Sequence, residues 1–178
     1  MRLSLNTQSK MKITAKDITK VALMVAVIEV SKVVLAQVPN VELTSFWLIM
    51  FGVYFGNRIF YVIPVLILIE GAMFGFGLWW VMYLYAWPLL GVTTLIMRKY
   101  KNNVWDWSIL SGIYGLLFGF LCAIPYLFIS GIKGAFAWWI VGIPWDLVHG
   151  VANFVIMFVL YHPMKRVMTK ISNAEGNS

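Results

Sequence analysis

The chain has 178 residues, of which 61% are hydrophobic and only 12% are charged, and its mean hydropathy is +0.83. Soluble domains carry roughly 25% charged residues, so this composition excludes an ordinary soluble protein and predicts an integral membrane protein. The formal net charge of +7 is then best explained by the bias of basic residues toward the inner leaflet of a bilayer, with some attraction to anionic lipid, and no nucleic-acid partner is expected.

Six apolar stretches follow one another along the chain, and a transmembrane helix needs about 20 such residues. They lie at 18–37, 43–56, 59–77, 79–97, 108–129 and 138–161. The second is short for a straight crossing and must tilt, borrow flanking residues or be buried among its neighbours. The sequence therefore predicts an all-α integral membrane protein with six transmembrane helices. It forms one domain over 1–178, a bundle at 18–161 between cytoplasmic tails at 1–17 and 162–178.

Positive charge is concentrated on one side of these stretches. Twelve of the fourteen Lys and Arg residues lie there: Arg2, Lys10, Lys12, Lys16, Lys20, Arg58, Arg98, Lys99, Lys101, Lys165, Arg166 and Lys170. Only Lys133 falls on the opposite side, and Lys32 lies inside the first stretch. Because basic loops stay in the cytoplasm, both termini are predicted to be cytoplasmic. The connections at 38–45, 71–78 and 130–137 are then outside.

Ionisable residues in or beside membrane segments are costly and often mark functional sites. Glu29 and Lys32 lie three residues apart on one helix face, where they can form a salt bridge or contact a ligand. Glu70 ends the third stretch and is either an outer-interface carboxylate or a ligand-binding group. The polar first outer connection, QVPNVELTS, adds Asn40 and Glu42 as candidate binding residues.

The most informative polar pattern is GIPWDLVHGVANF at 142–154. Pro144 indicates a helix start. Asp146, His149 and Asn153 then recur at i, i+3 and i+7, which places a carboxylate, an imidazole and an amide on one inward stripe. Such groups can orient a polar small molecule, or they can simply join helices by polar contacts. Two potential metal ligands without a third make a weak metal site, so neither a metal nor a cofactor is expected.

Aromatic residues crowd the same end of the predicted bundle. Trp79, Tyr83 and Trp87 recur at helical spacing, with Trp80 beside them, and Trp138 and Trp145 open the sixth stretch. A belt of Trp and Tyr at the membrane interface explains part of this enrichment. The excess beside the polar stripe predicts aromatic pocket walls for a flat ring, formed by Trp79, Trp80, Tyr83, Trp138 and Trp145.

Catalytic signatures such as GxSxG, HExxH and the Walker A motif are missing from the sequence. The chain is therefore not expected to be an enzyme, and uphill transport would need a partner that supplies energy. A small intramembrane enzyme using Asp146 and His149 is one alternative, although no nucleophile or metal accompanies them. A secondary transporter or channel that works alone is another, although no internal repeat supports it.

The chain resembles the substrate-binding S components of energy-coupling factor (ECF) vitamin transporters, which are short six-helix proteins with a basic cytoplasmic N-terminus. Ala22-x-x-x-Ala26 in the first stretch matches the family's small-residue motif on helix one. Small residues at i and i+4 let two helices approach closely. PNVELTS at 39–45 and GIPWDLVHGVANF at 142–154 resemble segments of bacterial S components.

This resemblance implies a multi-pass subunit of the bacterial cell membrane that binds a water-soluble vitamin from outside. It implies a transmembrane T component, whose coupling helices pack against Ala22 and Ala26, and two cytoplasmic ATPases as partners. In the family the S component is thought to topple in the membrane and carry its pocket inward. The pocket would be closed by segments at 38–45, 71–78 and 130–145. A pyridoxine-like vitamin is the first expectation, with cobalamin, pantothenate, folate and thiamine precursors as alternatives.

Overall fold

The computed structural model describes residues 14–100 and 103–176, and its elements in these ranges are all helical. They are α1 (Ala15–Leu35), α2 (Thr44–Phe55), α3 (Ile59–Phe74), α4 (Leu78–Met97) and α5 (Val104–Gly176), with a 3-10 turn at Gly56–Arg58. The all-α prediction is confirmed for this part of the chain. Of the basic residues used to orient the chain, Arg2, Lys10, Lys12 and Lys101 lie outside the described ranges.

The helix α5 is broken at Gly131, whose φ of 70° and ψ of −178° are not helical. Glycine adopts a positive φ readily because it has no Cβ. The segments 104–130 and 132–176 then fold back on each other, and the rings of Phe120 and Trp139 lie 5.4 Å apart across them. We call this pair of segments the α5 hairpin. The predicted connection at 130–137 is therefore wrong, because a single glycine makes the reversal. The predicted helix start at Pro144 is also wrong, since Pro144 lies inside the second segment.

The helices α1 and α3 run in parallel. A salt bridge of 3.3 Å joins Asp17 to Arg58 at one end, and an ion pair joins Lys32 to Glu70 near the other. The start of α1 is fixed by a capping box, in which Thr14 and Asp17 exchange hydrogen bonds between side chain and backbone. The two helices therefore begin at the same level of the bundle.

The chain reverses direction at Gly56, where φ is +63°. The guanidinium of Arg98, just after α4, donates a 3.0 Å hydrogen bond to the carbonyl of Gly52 in α2. Lysine and arginine are favourable at the C-terminal end of a helix because they oppose its dipole. This contact aligns the C-terminal ends of α2 and α4.

The helix α2 lies at the centre of the bundle. Eight of its twelve residues are buried, and none is exposed. Of the three possibilities that its short length allows, burial among its neighbours is the one observed. Twelve residues span about 18 Å and the twenty residues of α4 span about 30 Å. Because the two helices meet near their C-terminal ends through Arg98 and Gly52, the shorter α2 begins deeper in the bundle than α4. We call the region at the N-terminal end of α2, where Lys32, Glu42, Glu70 and His149 lie beside aromatic rings, the recess.

The outer surface of the bundle is apolar. Large apolar side chains are exposed on the other four helices, among them Val34, Leu68, Ile96 and Phe128. Within the described ranges, three helical stretches are long and apolar enough to cross a membrane: Thr44–Phe74, Leu78–Met97 and Val104–Ala174. A surface of this kind suits hydrocarbon better than water, as expected of a membrane protein.

Two element boundaries differ from those expected. The connection between α3 and α4 is only the three residues 75–77, because α3 continues to Phe74 and α4 begins at Leu78. The C-terminal segment of α5 continues to Gly176, so most of the tail predicted at 162–178 is helical. Met168 in this extension is buried, so the extension packs against the bundle.

Candidate functional site

The polar stripe on the second segment of the α5 hairpin faces inward. Asp146, His149 and Asn153 are only 8%, 5% and 1% exposed. Residues at i, i+3 and i+7 of a helix lie on one face, and this face is turned to α2 and to the first segment of the hairpin. The prediction of one inward stripe is confirmed.

Each member of the stripe contacts a different part of the chain. Asp146 Oδ1 accepts a 2.9 Å hydrogen bond from the backbone N–H of Gly119. His149 Nε2 lies 3.3 Å from Glu42 Oε1. Asn153 Nδ2 donates a 3.2 Å hydrogen bond to Ser45 Oγ. The interhelical polar contacts that the sequence left as an alternative are therefore present.

These contacts leave part of the polar stripe unused. Asp146 Oδ2 and Asn153 Oδ1 are buried, and neither has a hydrogen-bond partner in the structure. Most buried polar atoms in proteins are paired, so each unpaired oxygen calls for an explanation. Two acceptors of this kind on one stripe are suited to donors of a bound molecule.

Glu42 lies at the floor of the recess, in the connection between α1 and α2. Its side chain is 22% exposed, and Ser45 Oγ donates to Oε1 at 3.4 Å. Burial disfavours the charged form of Glu42, but the hydrogen bond and charge of His149, together with Thr44 and Lys32, outweigh burial, so the pKa of the Glu42 carboxyl is lowered. Asn40 in the same connection is exposed at a φ of 57°. That conformation suits Asn in a turn.

An ion pair between Lys32 and Glu70 forms one wall of the recess. Glu70 is buried, so it is not the outer-interface carboxylate that the sequence offered as one possibility. The expected salt bridge between Glu29 and Lys32 is not formed, because Lys32 reaches across to α3 instead. Both carboxylate oxygens of Glu29 are buried without a hydrogen-bond partner.

Four aromatic side chains lie next to this ion pair, and we call them the aromatic box: Tyr83, Trp87, Tyr114 and Phe118. Trp87 is central, with ring centroids 5.3 Å from Tyr83, 6.0 Å from Tyr114 and 5.4 Å from Phe118. Phe118 in turn meets His149 edge-on at 5.2 Å. The aromatic box therefore borders the polar stripe directly.

The aromatic walls expected from the sequence separate into two groups. Trp79 contacts Tyr83 edge-on at 5.3 Å and extends the box outward, while Trp80 Nε1 donates a 2.8 Å hydrogen bond to the Ile67 carbonyl between α3 and α4. Trp138 stacks on Tyr126 at 4.9 Å. Together with the exposed Trp145, these two rings line a separate groove on the α5 hairpin. Trp138 and Trp145 therefore stand apart from the polar stripe.

Comparisons of the chain with protein-family models, with curated proteins and with solved structures find no match. Within residues 14–100 and 103–176, no group of three or more His, Cys, Asp or Glu side chains is arranged to hold a metal ion. The groups that the structure brings together in the recess are carboxylates, an imidazole, an amide and aromatic rings.

The sequence analysis missed the partners that lie on other helices, above all Ser45, Gly119 and the two rings Tyr114 and Phe118. One signal was available. Gly112, Gly115 and Gly119 follow the same i, i+3, i+7 spacing as the polar stripe. A Cβ on Gly119 would lie 2.2 Å from an Asp146 carboxylate oxygen. This glycine stripe brings the two segments of the hairpin into backbone contact and brings Asp146 to the Gly119 N–H.

A second surface lies on the outside of α1. Ala22 and Ala26 are both exposed. Beside them, an apolar groove runs between α1, α2 and the end of α5. Its lining residues are Lys20, Leu23, Met24, Val27, Trp47, Phe51, Phe55, Met164, Val167, Met168 and Ile171. The small residues that the sequence assigned to a partner interface are therefore not covered by the described part of the chain.

Proposed function

We propose that this chain is the substrate-binding S component of an ECF-type importer, which binds a water-soluble vitamin or related micronutrient on the outer side of a bacterial cell membrane. The observation that carries the proposal is the cluster of buried polar groups in the recess, which directly borders the aromatic box. Glu42 and His149 are in contact there at 3.3 Å, and Asp146 Oδ2 and Asn153 Oδ1 are buried without a hydrogen-bond partner in the structure. Concave sites with apolar walls and few polar groups are typical of small-molecule binding.

The proposal includes six membrane crossings with both termini in the cytoplasm. Two features support it: α1 and α3 run in parallel, and the α5 hairpin reverses at Gly131. Six alternating segments then return the chain to the side on which it began. Arg58 and Lys99 fall on that side and Lys133 on the other, as the preference of basic residues for the cytoplasm requires. In this orientation the recess opens outward.

The exposed small residues of α1 support a coupling role. Ala22 and Ala26 allow close approach of another helix, and the sequence carries no nucleotide-binding motif of its own. A T component packed on this face, together with two cytoplasmic ATPases, would supply both the contact and the energy. Alternatives are a secondary transporter or a small intramembrane enzyme that works alone.

Co-purification tests the proposal. The chain, carrying an affinity tag, is expected to retain a T component and two ATPases when purified from its native membrane. Mass spectrometry should also identify a retained vitamin-like molecule. Transport or catalysis by the isolated chain in liposomes, without any ATPase, would contradict the proposal and favour one of the alternatives.

The orientation can be tested by cysteine labelling in intact cells. In a Cys122→Ser background, a membrane-impermeant maleimide is expected to label Lys133→Cys but not Lys99→Cys, because both positions are exposed but lie on opposite sides of the membrane. Permeabilised cells provide the control, since both positions should then react. The reverse pattern in intact cells would invert the topology and place the recess on the cytoplasmic side.

The binding role of the stripe can be tested with the two histidines of the chain. His149→Ala is expected to weaken binding of the retained molecule about ten- to a hundred-fold, because a hydrogen bond to a charged group contributes about 1.5–3 kcal/mol. His162→Ala is the matched control, since His162 is exposed and far along the same helix. Titration calorimetry provides the measurement. Equal affinities for the two variants would assign His149 to interhelical packing.

A further inference from the structure

The recess holds more carboxylates than cations. Glu70 pairs with Lys32, which follows Glu29 by one helical turn on α1 and lies 5.9 Å from the Tyr83 ring. Glu42 contacts His149, which meets Phe118, and the Phe118 ring lies 6.4 Å from Tyr83. Lys32 is the only lysine or arginine among these groups, and its ammonium is already paired with Glu70. Asp146 adds a fourth carboxylate next to His149.

A surplus of buried carboxylates is costly in a membrane protein. Removing an ion from water without a counter-ion carries a desolvation penalty of several kcal/mol, and ionisable groups at membrane depth are paired or functional. Both oxygens of Glu29 and one oxygen of Asp146 have no hydrogen-bond partner in the structure. A bound molecule that brings positive charge would remove this imbalance.

The aromatic side of the recess also suits a cation. The Lys32 ammonium lies 5.9 Å from the ring centre of Tyr83 and 6.0 Å from that of Phe74. Cations are attracted to aromatic faces at about this distance, and aromatic cages are a known means of binding quaternary ammonium groups. The structure therefore already places one positive charge at the edge of the aromatic box.

Unpaired donors inside the aromatic box point to a ligand independently of the carboxylates. Trp87 is 1% exposed and Tyr114 is 6% exposed, yet neither Trp87 Nε1 nor the Tyr114 hydroxyl has a hydrogen-bond partner. The Trp87 ring lies 5.3 Å from Tyr83, and the Tyr114 ring lies 6.0 Å from Phe118, which in turn meets His149. Both groups thus border the same space as the carboxylates.

We propose that the recess binds an organic cation, a molecule whose protonated amine or quaternary ammonium group lies between the carboxylates and the aromatic box. Lys32 occupies part of this cation site in the ligand-free protein. The unpaired indole and phenol donors then hold an acceptor elsewhere on the same molecule. This inference rests on the proposed function, since it names the chemical class of the substrate that the recess would take.

A pair of isosteric probes tests the inference on the wild-type protein. Choline carries a quaternary ammonium, and 3,3-dimethyl-1-butanol has the same shape with a neutral quaternary carbon. Tryptophan fluorescence of the purified chain should report choline binding at least about tenfold tighter than that of the neutral probe. Equal affinity for the two probes, tighter binding of the neutral one, or no response to choline would overturn the inference.

A gain of affinity provides a second test that a misfolded variant cannot imitate. Lys32→Met removes the resident charge and should strengthen choline binding about tenfold. Lys133→Met removes one lysine charge from an exposed position on the α5 hairpin and should leave choline affinity unchanged. Weaker or unchanged choline binding in Lys32→Met would contradict the assignment of Lys32 to the cation site.

The outcomes separate this inference from the proposed function. A chain that retains a T component and two ATPases but prefers the neutral probe is an S component for a neutral or anionic substrate, and only the cation inference fails. A chain that prefers choline but retains no ATPase is a cation-binding membrane protein of another class, and only the proposed function fails.

Discussion

Replacing Ala26 with leucine is expected to abolish substrate uptake while leaving substrate binding to the solitary chain intact. Ala26 is exposed on α1, one helical turn from the exposed Ala22. Close packing of two membrane helices depends on small residues at such positions. The added isobutyl group would hold the coupling helix of the T component away from α1. Because the Ala26 side chain points out of the bundle, the recess should keep its shape.

The matched control is Ala72→Leu, which adds the same group at an exposed position on α3. Uptake by the complete complex in proteoliposomes and binding to the solitary chain by titration calorimetry should be measured for both variants. We expect uptake to be lost only for Ala26→Leu, with binding within about twofold of wild type for both, a difference below about 0.5 kcal/mol. Loss of binding in parallel with uptake would show that this face of α1 supports the recess instead.

The inward polar stripe could be predicted from the sequence because its geometry is local. Asp146, His149 and Asn153 share a face of any regular helix through their spacing alone. An apolar chain turns such a face away from lipid, since polar groups at membrane depth are costly. The burial of all three needed no knowledge of the rest of the fold.

The partners of the stripe could not be predicted in the same way. His149 contacts Glu42, 107 residues earlier, and Asn153 contacts Ser45, 108 residues earlier. Lys32 shows the same limit, because it pairs with Glu70, 38 residues away, and not with the nearby Glu29. Helical periodicity identifies which residues share a face, but it does not identify which helix that face meets.

Glycine and proline do not mark loop boundaries reliably in this chain. The Gly-rich segment 130–137 is helical except at Gly131, and Pro144 lies within a helix. Proline is tolerated inside membrane helices when neighbouring groups satisfy the freed carbonyl. Gly112, Gly115, Gly119 and Gly150 in α5 serve close packing, whereas Gly131 makes the turn.

Gly115→Ala is expected to destabilise the folded protein, although the same change in an open helix position is favourable. A Cβ on Gly115 would lie 2.8 Å from the Cα of Gly150 and 2.9 Å from the carbonyl carbon of His149. These are backbone atoms of the second hairpin segment, which cannot rotate away. Overpacking of this kind costs about 1–3 kcal/mol. The two segments must separate, which also displaces His149 from Glu42 and should weaken substrate binding.

Gly142→Ala is the matched control for the Gly115 variant, because a Cβ there meets no atom within 4 Å. Alanine is more favourable than glycine in a helix by about 0.5–1 kcal/mol, so Gly142→Ala should unfold at the wild-type temperature or slightly above it. Gly115→Ala should unfold at a clearly lower temperature, measured by thermal unfolding in the same detergent. Both variants matching the wild type in unfolding temperature and in substrate affinity would contradict the prediction. Backbone contact within the α5 hairpin would then not position the polar stripe.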